Sequence, residues 1–310
     1  MRRGAERQAQ VPAEPRFTSD SARDVLEEAC RVTGLDAAGA TLLRLGENAI
    51  FRLSEPSSSV VVRIPRDVSR LPVARRELCV SRWLNEAGVA ATRVVDEVPD
   101  QPRIVAGHPV TFWRAVDSQP QRPTVVDLAG LLRELHALDD SPCELPQFDP
   151  LSTVRPRLER GLDLPAADQD FLAARCKEIA EALSEITPVL PPGPIHGDAH
   201  TGNLLGGAGV AVLIDFETFA VGPREWDLVP VTVGHARLGI SGADLDEFVA
   251  IYGFDVRDWP GYPVLREARE LGMTTWLAQN VGESPAIAAE VALRVDSLRN
   301  GDLDRAWTPY

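Results

Sequence analysis

The residues best equipped for chemistry in this chain lie in one stretch, His196-Gly197-Asp198-Ala199-His200-Thr201-Gly202-Asn203, followed twelve residues later by Asp215-Phe216-Glu217. The chemistry such a set suits is phosphoryl transfer, in which the protein positions the reactants and neutralises charge rather than forming bonds itself. A nucleoside triphosphate needs Mg2+, which prefers hard oxygen ligands. Asn203 offers an amide oxygen, and Asp215, at the end of a short apolar strand, offers a carboxylate. Asp198 can accept the proton of an attacking hydroxyl and align that hydroxyl with the γ-phosphate. The five-residue step from Asp198 to Asn203 puts base and metal ligand on one loop. A rival reading takes His196, Asp198 and His200 as an H-x-D-x-H metal cluster of a hydrolase, with Asp215. Zinc and di-metal sites usually want further His or Cys ligands, and His108, His136 and His235 have no helpful spacing.

Two kinds of element must position these residues. Thr18-Ser19-Asp20 can cap a helix whose apolar positions Val25, Leu26, Ala29 and Val32 follow helical spacing, with Gly34 as its stop. Strand-like runs follow at 41–45, 49–53 and 59–64, separated by turns at Gly46-Glu47-Asn48 and 55–58. A helix is expected over 73–87, ended by Gly88, and two more strands over 92–98 and 109–116. From residue 117 the pattern becomes helical: a linker through Pro123, helices over 124–138 and 168–186, a Pro-rich break at 188–194, a strand over 210–214, and helices with loops from Arg224 onward. His136 falls on an apolar helix face and reads as a core histidine. A β-rich half followed by a helical half predicts an α+β architecture in two lobes.

The motif resembles that of the aminoglycoside phosphotransferase and choline kinase-like family, small-molecule relatives of the protein kinases. That family carries H-G-D-x-x-x-x-N and I-D-[FW]-E, matched here by residues 196–203 and 214–217. The likeness extends to Gly222-Pro223-Arg224-Glu225-Trp226-Asp227-Leu228. It implies a bilobal, protein kinase-like fold, with an N-terminal nucleotide-binding lobe at 17–112 and a C-terminal catalytic and substrate-binding lobe at 113–310; residues 1–16, polar, Pro-containing and without periodicity, are expected to be disordered. It also implies ATP or GTP with Mg2+ as cofactors and a small-molecule hydroxyl acceptor. By the same resemblance Asp198 is the catalytic base, Asn203 and Asp215 hold the metal, Asp227 braces the catalytic loop, and His196 packs beneath it. A kinase needs a cation from its third strand on the phosphates and a helix carboxylate on that cation. Arg63 and Glu77 fill those places, arginine standing where kinases usually have lysine; the single lysine, Lys177, lies in the helical half. Gly46 and Asn48 would lie over the phosphates. Thr111, Phe112 and Trp113 would form the hinge that pairs with adenine, and Leu205 and Ile214 would complete the nucleotide site. His200 can touch substrate or phosphate, and Glu217 can reach metal or a substrate cation. Glu270 and Trp276 can meet an amine through charge and cation–π contacts, although core and surface roles are the plainer readings of both.

Composition narrows the partners. The 310 residues include 32 Lys+Arg against 46 Asp+Glu, a net charge of −14. Such a chain repels polyphosphate, which argues against nucleic acid and anionic membranes as partners. Residues 111–310 hold 16 cations and 31 acidic side chains. That excess favours a cationic acceptor, such as an aminoglycoside-like antibiotic or an amino-bearing metabolite; with an antibiotic as acceptor, the chain would confer resistance. No run is apolar enough to span a membrane, and the arginines near the start lack the apolar core of a signal peptide. Cys30, Cys79, Cys143 and Cys176 are far apart without a C-x-x-C pair, so no disulfide framework is expected and a cytoplasmic setting follows. Besides the hydrolase, a kinase-like module that binds nucleotide without turnover remains an alternative.

Overall fold

The computed structural model describes residues 17–54, 59–116, 122–206 and 211–310. The expected N-terminal disorder, the 55–58 turn, most of the linker before Pro123 and Val210 of the strand fall outside them. The chain divides into two compact units, one of residues up to 74 together with 94–115, the other of 75–93 together with 116–310.

In the first unit, α1 (Ser19–Thr33) starts at a Thr18–Ser21 capping box and stops at Gly34, which takes a left-handed conformation. A five-stranded antiparallel sheet follows, built from β1 (Thr41–Leu45), β2 (Asn48–Arg52), β3 (Val60–Pro65), β4 (Arg103–Val105) and β5 (His108–Arg114) in the order β1-β2-β3-β5-β4. Alternation decides which face of β3 is covered. Val60, Val62 and Ile64 are buried with Phe51, Val110 and Phe112 against Ala22, Leu26 and Ala29 of α1, while Arg63 points to the other face.

The fifth strand is not the one that local pattern predicts. Residues 92–98 form only an isolated bridge, Val94 to Trp113, instead of a strand. The Gln101 side chain explains this, donating to the Val95 and Val98 carbonyls and accepting from the Phe112 N–H at 2.7 Å. Backbone groups that would have made a ladder are satisfied by one amide. The edge is taken by β4, joined to β5 through Ala106 and Gly107, both at positive φ.

The second unit begins within α2 (Leu71–Glu86), whose Val80, Trp83 and Leu84 enter its core. It continues through α3 (Val125–His136), α4 (Val154–Glu159), α5 (Ala166–Glu185), β6 (Gly193–Ile195), β7 (Leu204–Leu205), β8 (Val212–Leu213), β9 (Ala220–Gly222), α6 (Val229–Leu238), α7 (Gly242–Tyr252), α8 (Tyr262–Ala278) and α9 (Pro285–Asn300). Its strands form two small antiparallel pairs, β6 with β9 and β7 with β8. Among the described residues no helix is long and apolar enough to cross a membrane.

The cysteines correct the sequence reading. Cys79 of α2 is bonded to Cys143, 64 residues later, in the loop after α3. Spacing motifs report only local pairs; these two meet because α2 and α3 contribute to one core.

Candidate active site

The loop carrying Asp198 is held from below by one buried carboxylate. Asp227 accepts the backbone N–H of His196 at 2.6 Å and of Gly197 at 2.8 Å, and His136 Nε2 lies 3.1 Å from the same side chain. His136 in turn meets the Tyr252 hydroxyl through Nδ1 at 2.9 Å. Burial, with Asp227 nearby, pushes the Tyr252 phenol above its usual range. Trp226 Nε1 donates to the Gly197 carbonyl and Thr218 Oγ1 to the His196 carbonyl. Gly197 is at φ +82, and a Cβ there would sit 2.3 Å from the Thr218 carbonyl oxygen, so this turn admits only glycine.

His196 is fully buried and its Nε2 lies 2.9 Å from the Ile214 carbonyl oxygen. A carbonyl can only accept, so Nε2 carries the proton and is closed to a metal. The H-x-D-x-H cluster therefore does not form. His200 sits at the start of a 3-10 turn with Nδ1 accepting from the Gly202 N–H, which leaves Nε2 as the donor 3.4 Å from Asp198 Oδ2.

Asn203 closes the loop back on Asp198, its amide nitrogen 2.9 Å from the Asp198 carbonyl oxygen and 3.4 Å from Oδ2. The hairpin β7–β8 then brings the second half of the motif beside the first. Leu204 pairs with Leu213, and the Ile214 N–H donates to the Asn203 carbonyl at 3.0 Å. Asp215 follows at φ +63, ψ +69, a left-handed conformation that a non-glycine residue adopts at a cost and that recurs at functional sites. Carboxylate oxygens of Asp215, Glu217 and Glu77 all lie within 4.8 Å of one another. Three hard oxygen donors so close together fit a divalent cation of the Mg2+ type. Arg76, beside Glu77 on α2, donates to the Glu217 carbonyl at 2.7 Å. Burial draws Arg76 below its ordinary basicity, and the charges of Glu77 and Glu217 only partly offset this.

The other face of Asp198 meets a residue that sequence reasoning missed. Arg269 of α8 donates from Nη1 to Asp198 Oδ1 at 2.7 Å. Burial by itself would raise the Asp198 carboxyl; the Arg269 guanidinium, with His200, more than offsets it and holds the group well below the usual carboxylate range. Seventy-one residues separate the pair, and no local pattern announces it. Trp276 lies two turns further along α8, on the side of the helix that carries Arg269, and is 43% exposed.

Glu270 does not share that side. It is 1% exposed, and its carboxylate is held by Arg237 at 2.8 Å and Arg266 at 2.9 Å, so the amine contact expected of it is not available. The three residues expected at the hinge are also differently engaged. Thr111 is paired with Arg63 across the sheet and accepts from Trp113 Nε1, while the Phe112 N–H goes to Gln101 and its carbonyl to the Val95 N–H. The Phe112 N–H is therefore already taken within the unit. Gly46 lies in the β1–β2 turn, where its carbonyl accepts from Arg66 Nε, and Asn48 opens β2. Leu205 on β7 is exposed and Ile214 half-buried, flanking Asn203 and Asp215.

Comparison with known proteins agrees with this chemistry. The sequence profile of the phosphotransferase enzyme family matches residues 41–271. No curated protein sequence matches the chain. Solved structures do. An amicoumacin kinase in complex with AMP-PNP, Ca2+ and its ligand superposes with a TM-score of 0.71 at 16% identity, over 95% of this chain and 98% of that one. A microcompartment-associated aminopropanol kinase gives 0.67 at 19%, over 90% and 99%. A choline/ethanolamine kinase family protein from Mesorhizobium loti gives 0.62 at 18%, over 91% and 94%. At these identities the likeness is one of fold, the protein kinase-like fold.

Proposed function

Because the chain belongs to the phosphotransferase enzyme family, we propose that it moves the γ-phosphoryl group of ATP or GTP to a hydroxyl of a small, amine-bearing acceptor. The observation that carries this reading is the convergence of the Asp198–Asn203 loop, through the β7–β8 hairpin, on the Asp215, Glu217 and Glu77 carboxylates. Asp198 receives the acceptor hydroxyl and takes its proton. The acceptor oxygen bonds to the γ-phosphorus as the bond to the β,γ-bridging oxygen breaks, and that electron pair leaves with the nucleoside diphosphate. Asn203, Asp215 and Glu217 hold Mg2+, which when bound supplies neutralisation of the triphosphate. Glu77 adds a third carboxylate beside Asp215 and Glu217. Arg63, on the face of β3 opposite α1, takes the phosphates, its planar fork serving where lysine is more usual. Gly46 and Asn48 cover them, and Leu205 and Ile214 flank the nucleotide.

For the acceptor, the acidic excess of residues 111–310 and the exposed Trp276 on the Arg269 side of α8 favour an amine. The names of the structurally similar proteins, which include an aminopropanol kinase and a spectinomycin phosphotransferase, span amino alcohols and antibiotics. Mg·ATP is abundant inside cells, so a cytoplasmic setting goes with this reading. The test is transfer of labelled γ-phosphate from ATP and from GTP, with Mg2+, to a panel of aminoglycosides, amino alcohols and neutral sugars. Incorporation into an amine-bearing acceptor, abolished by Asp198→Ala, is expected. Tight Mg·ATP binding without transfer to any acceptor or to water would instead mean a nucleotide-binding module.

A further inference from the structure

We propose that Arg269 is a positioning residue for this transfer: its guanidinium pins Oδ1 of Asp198, so that Oδ2 is the oxygen presented to the acceptor hydroxyl. The inference rests on the phosphotransferase reading and adds a residue outside the motif. An aspartate side chain has two chemically equivalent oxygens and a soft terminal torsion, so without a partner it offers either one. Here the two are distinguished. Oδ1 takes a charge-assisted bond of 2.7 Å from Arg269, whereas among the described residues Oδ2 has only His200 Nε2 and Asn203 Nδ2, each at 3.4 Å. Contacts that long leave room for a better donor, such as the hydroxyl of an acceptor.

The support for Arg269 is rigid. Its neighbours Ala268, Glu270 and Leu271 are buried, and Glu270 is locked between Arg237 and Arg266. Two ion pairs tie α8 to the rest of the unit: Glu270 with Arg237, and Glu267 with Arg175. Arg269 makes a third. It reaches across to Asp198. In a loose transition state the orientation of the attacking oxygen matters more than the strength of the base. A residue acting through Asp198 in this way changes turnover and leaves nucleotide binding alone.

The experiment uses Mg·ATP with water as the acceptor, so it needs no knowledge of the natural one. Steady-state hydrolysis is measured for the full chain and for Arg269→Ala, Arg269→Lys, Asp198→Ala and the double variant. Arg269→Ala should lower kcat by about 10- to 100-fold with the KM for Mg·ATP within about twofold. Arg269→Lys, which keeps the charge without the fork, should fall between and covers the case in which the alanine variant does not fold. Millimolar guanidinium chloride, far below denaturing concentrations, should restore part of the kcat of Arg269→Ala and none of that of Asp198→Ala. The double variant should be no slower than Asp198→Ala alone, because both losses pass through one carboxylate. Unchanged kcat in a folded Arg269 variant, a loss confined to the KM for Mg·ATP, or independent losses in the double variant would overturn the proposal. A wild-type chain that turns over Mg·ATP with neither water nor any acceptor would be a different result, overturning the phosphotransferase reading beneath it.

Discussion

At the scale of single residues, the loop that carries Asp198 is shaped by hydrogen bonds to atoms that carry no chemistry. Asp227 is fully buried and accepts two backbone N–H groups from His196 and Gly197. A buried carboxylate that is removed leaves those two donors without the acceptor they have here. Asp227→Ala should therefore destabilise the protein by about 2–4 kcal/mol and lower turnover as well. A denaturant midpoint equal to that of the wild type would show that the brace is dispensable. His136 belongs to the same arrangement. It is a core histidine by pattern, 6% exposed, but its Nε2 is directed at Asp227. A histidine on an apolar helix face can thus help to brace the loop that carries Asp198.

At the scale of elements, α8 has two sides with different duties. Leu265, Ala268, Leu271 and Leu277 enter the core, while Arg269 and Trp276 point elsewhere, the first onto Asp198. If the acceptor lies along that exposed side, Trp276→Ala removes an aromatic face from an amine and should raise the acceptor KM about tenfold, leaving the KM for Mg·ATP unchanged. Equal KM values for the acceptor would remove Trp276 from the site. The α2 helix carries a second consequence. It bears Arg76 and Glu77 and is joined to the loop after α3 by the Cys79–Cys143 bond. Thiol titration of the denatured, unreduced protein should count two thiols, Cys30 and Cys176, rising to four after reduction. Four from the outset would mean that the bond does not form in solution, which would restore the expectation drawn from cysteine spacing.

At the scale of the whole molecule, charge is the property to test. The net charge of −14 is concentrated in residues 111–310, and fields of that kind raise the local concentration of cations until salt screens them. The KM for a cationic acceptor should rise as ionic strength goes from low to physiological, while that for a neutral acceptor should stay flat. Parallel behaviour of the two would dismiss electrostatic attraction as the basis of acceptor choice.

The sequence by itself determined the elements whose signals are local: the capped α1, the strands up to β3, the helix after them, and a loop whose residue types suit phosphoryl transfer. Side-chain spacing reports periodicity and short-range hydrogen bonding, and those are set within a few residues. What only the tertiary structure decided depends on partners brought from far along the chain. Gln101 satisfies Val95, Val98 and Phe112 and so removes a strand and a hinge contact that pattern alone would accept. Glu270 is claimed by Arg237, 33 residues away. Cys79 finds Cys143, and Asp198 finds Arg269. Each of these is a choice among many donors, acceptors or thiols of the same type, and it is packing, not composition, that decides which one arrives within bonding distance.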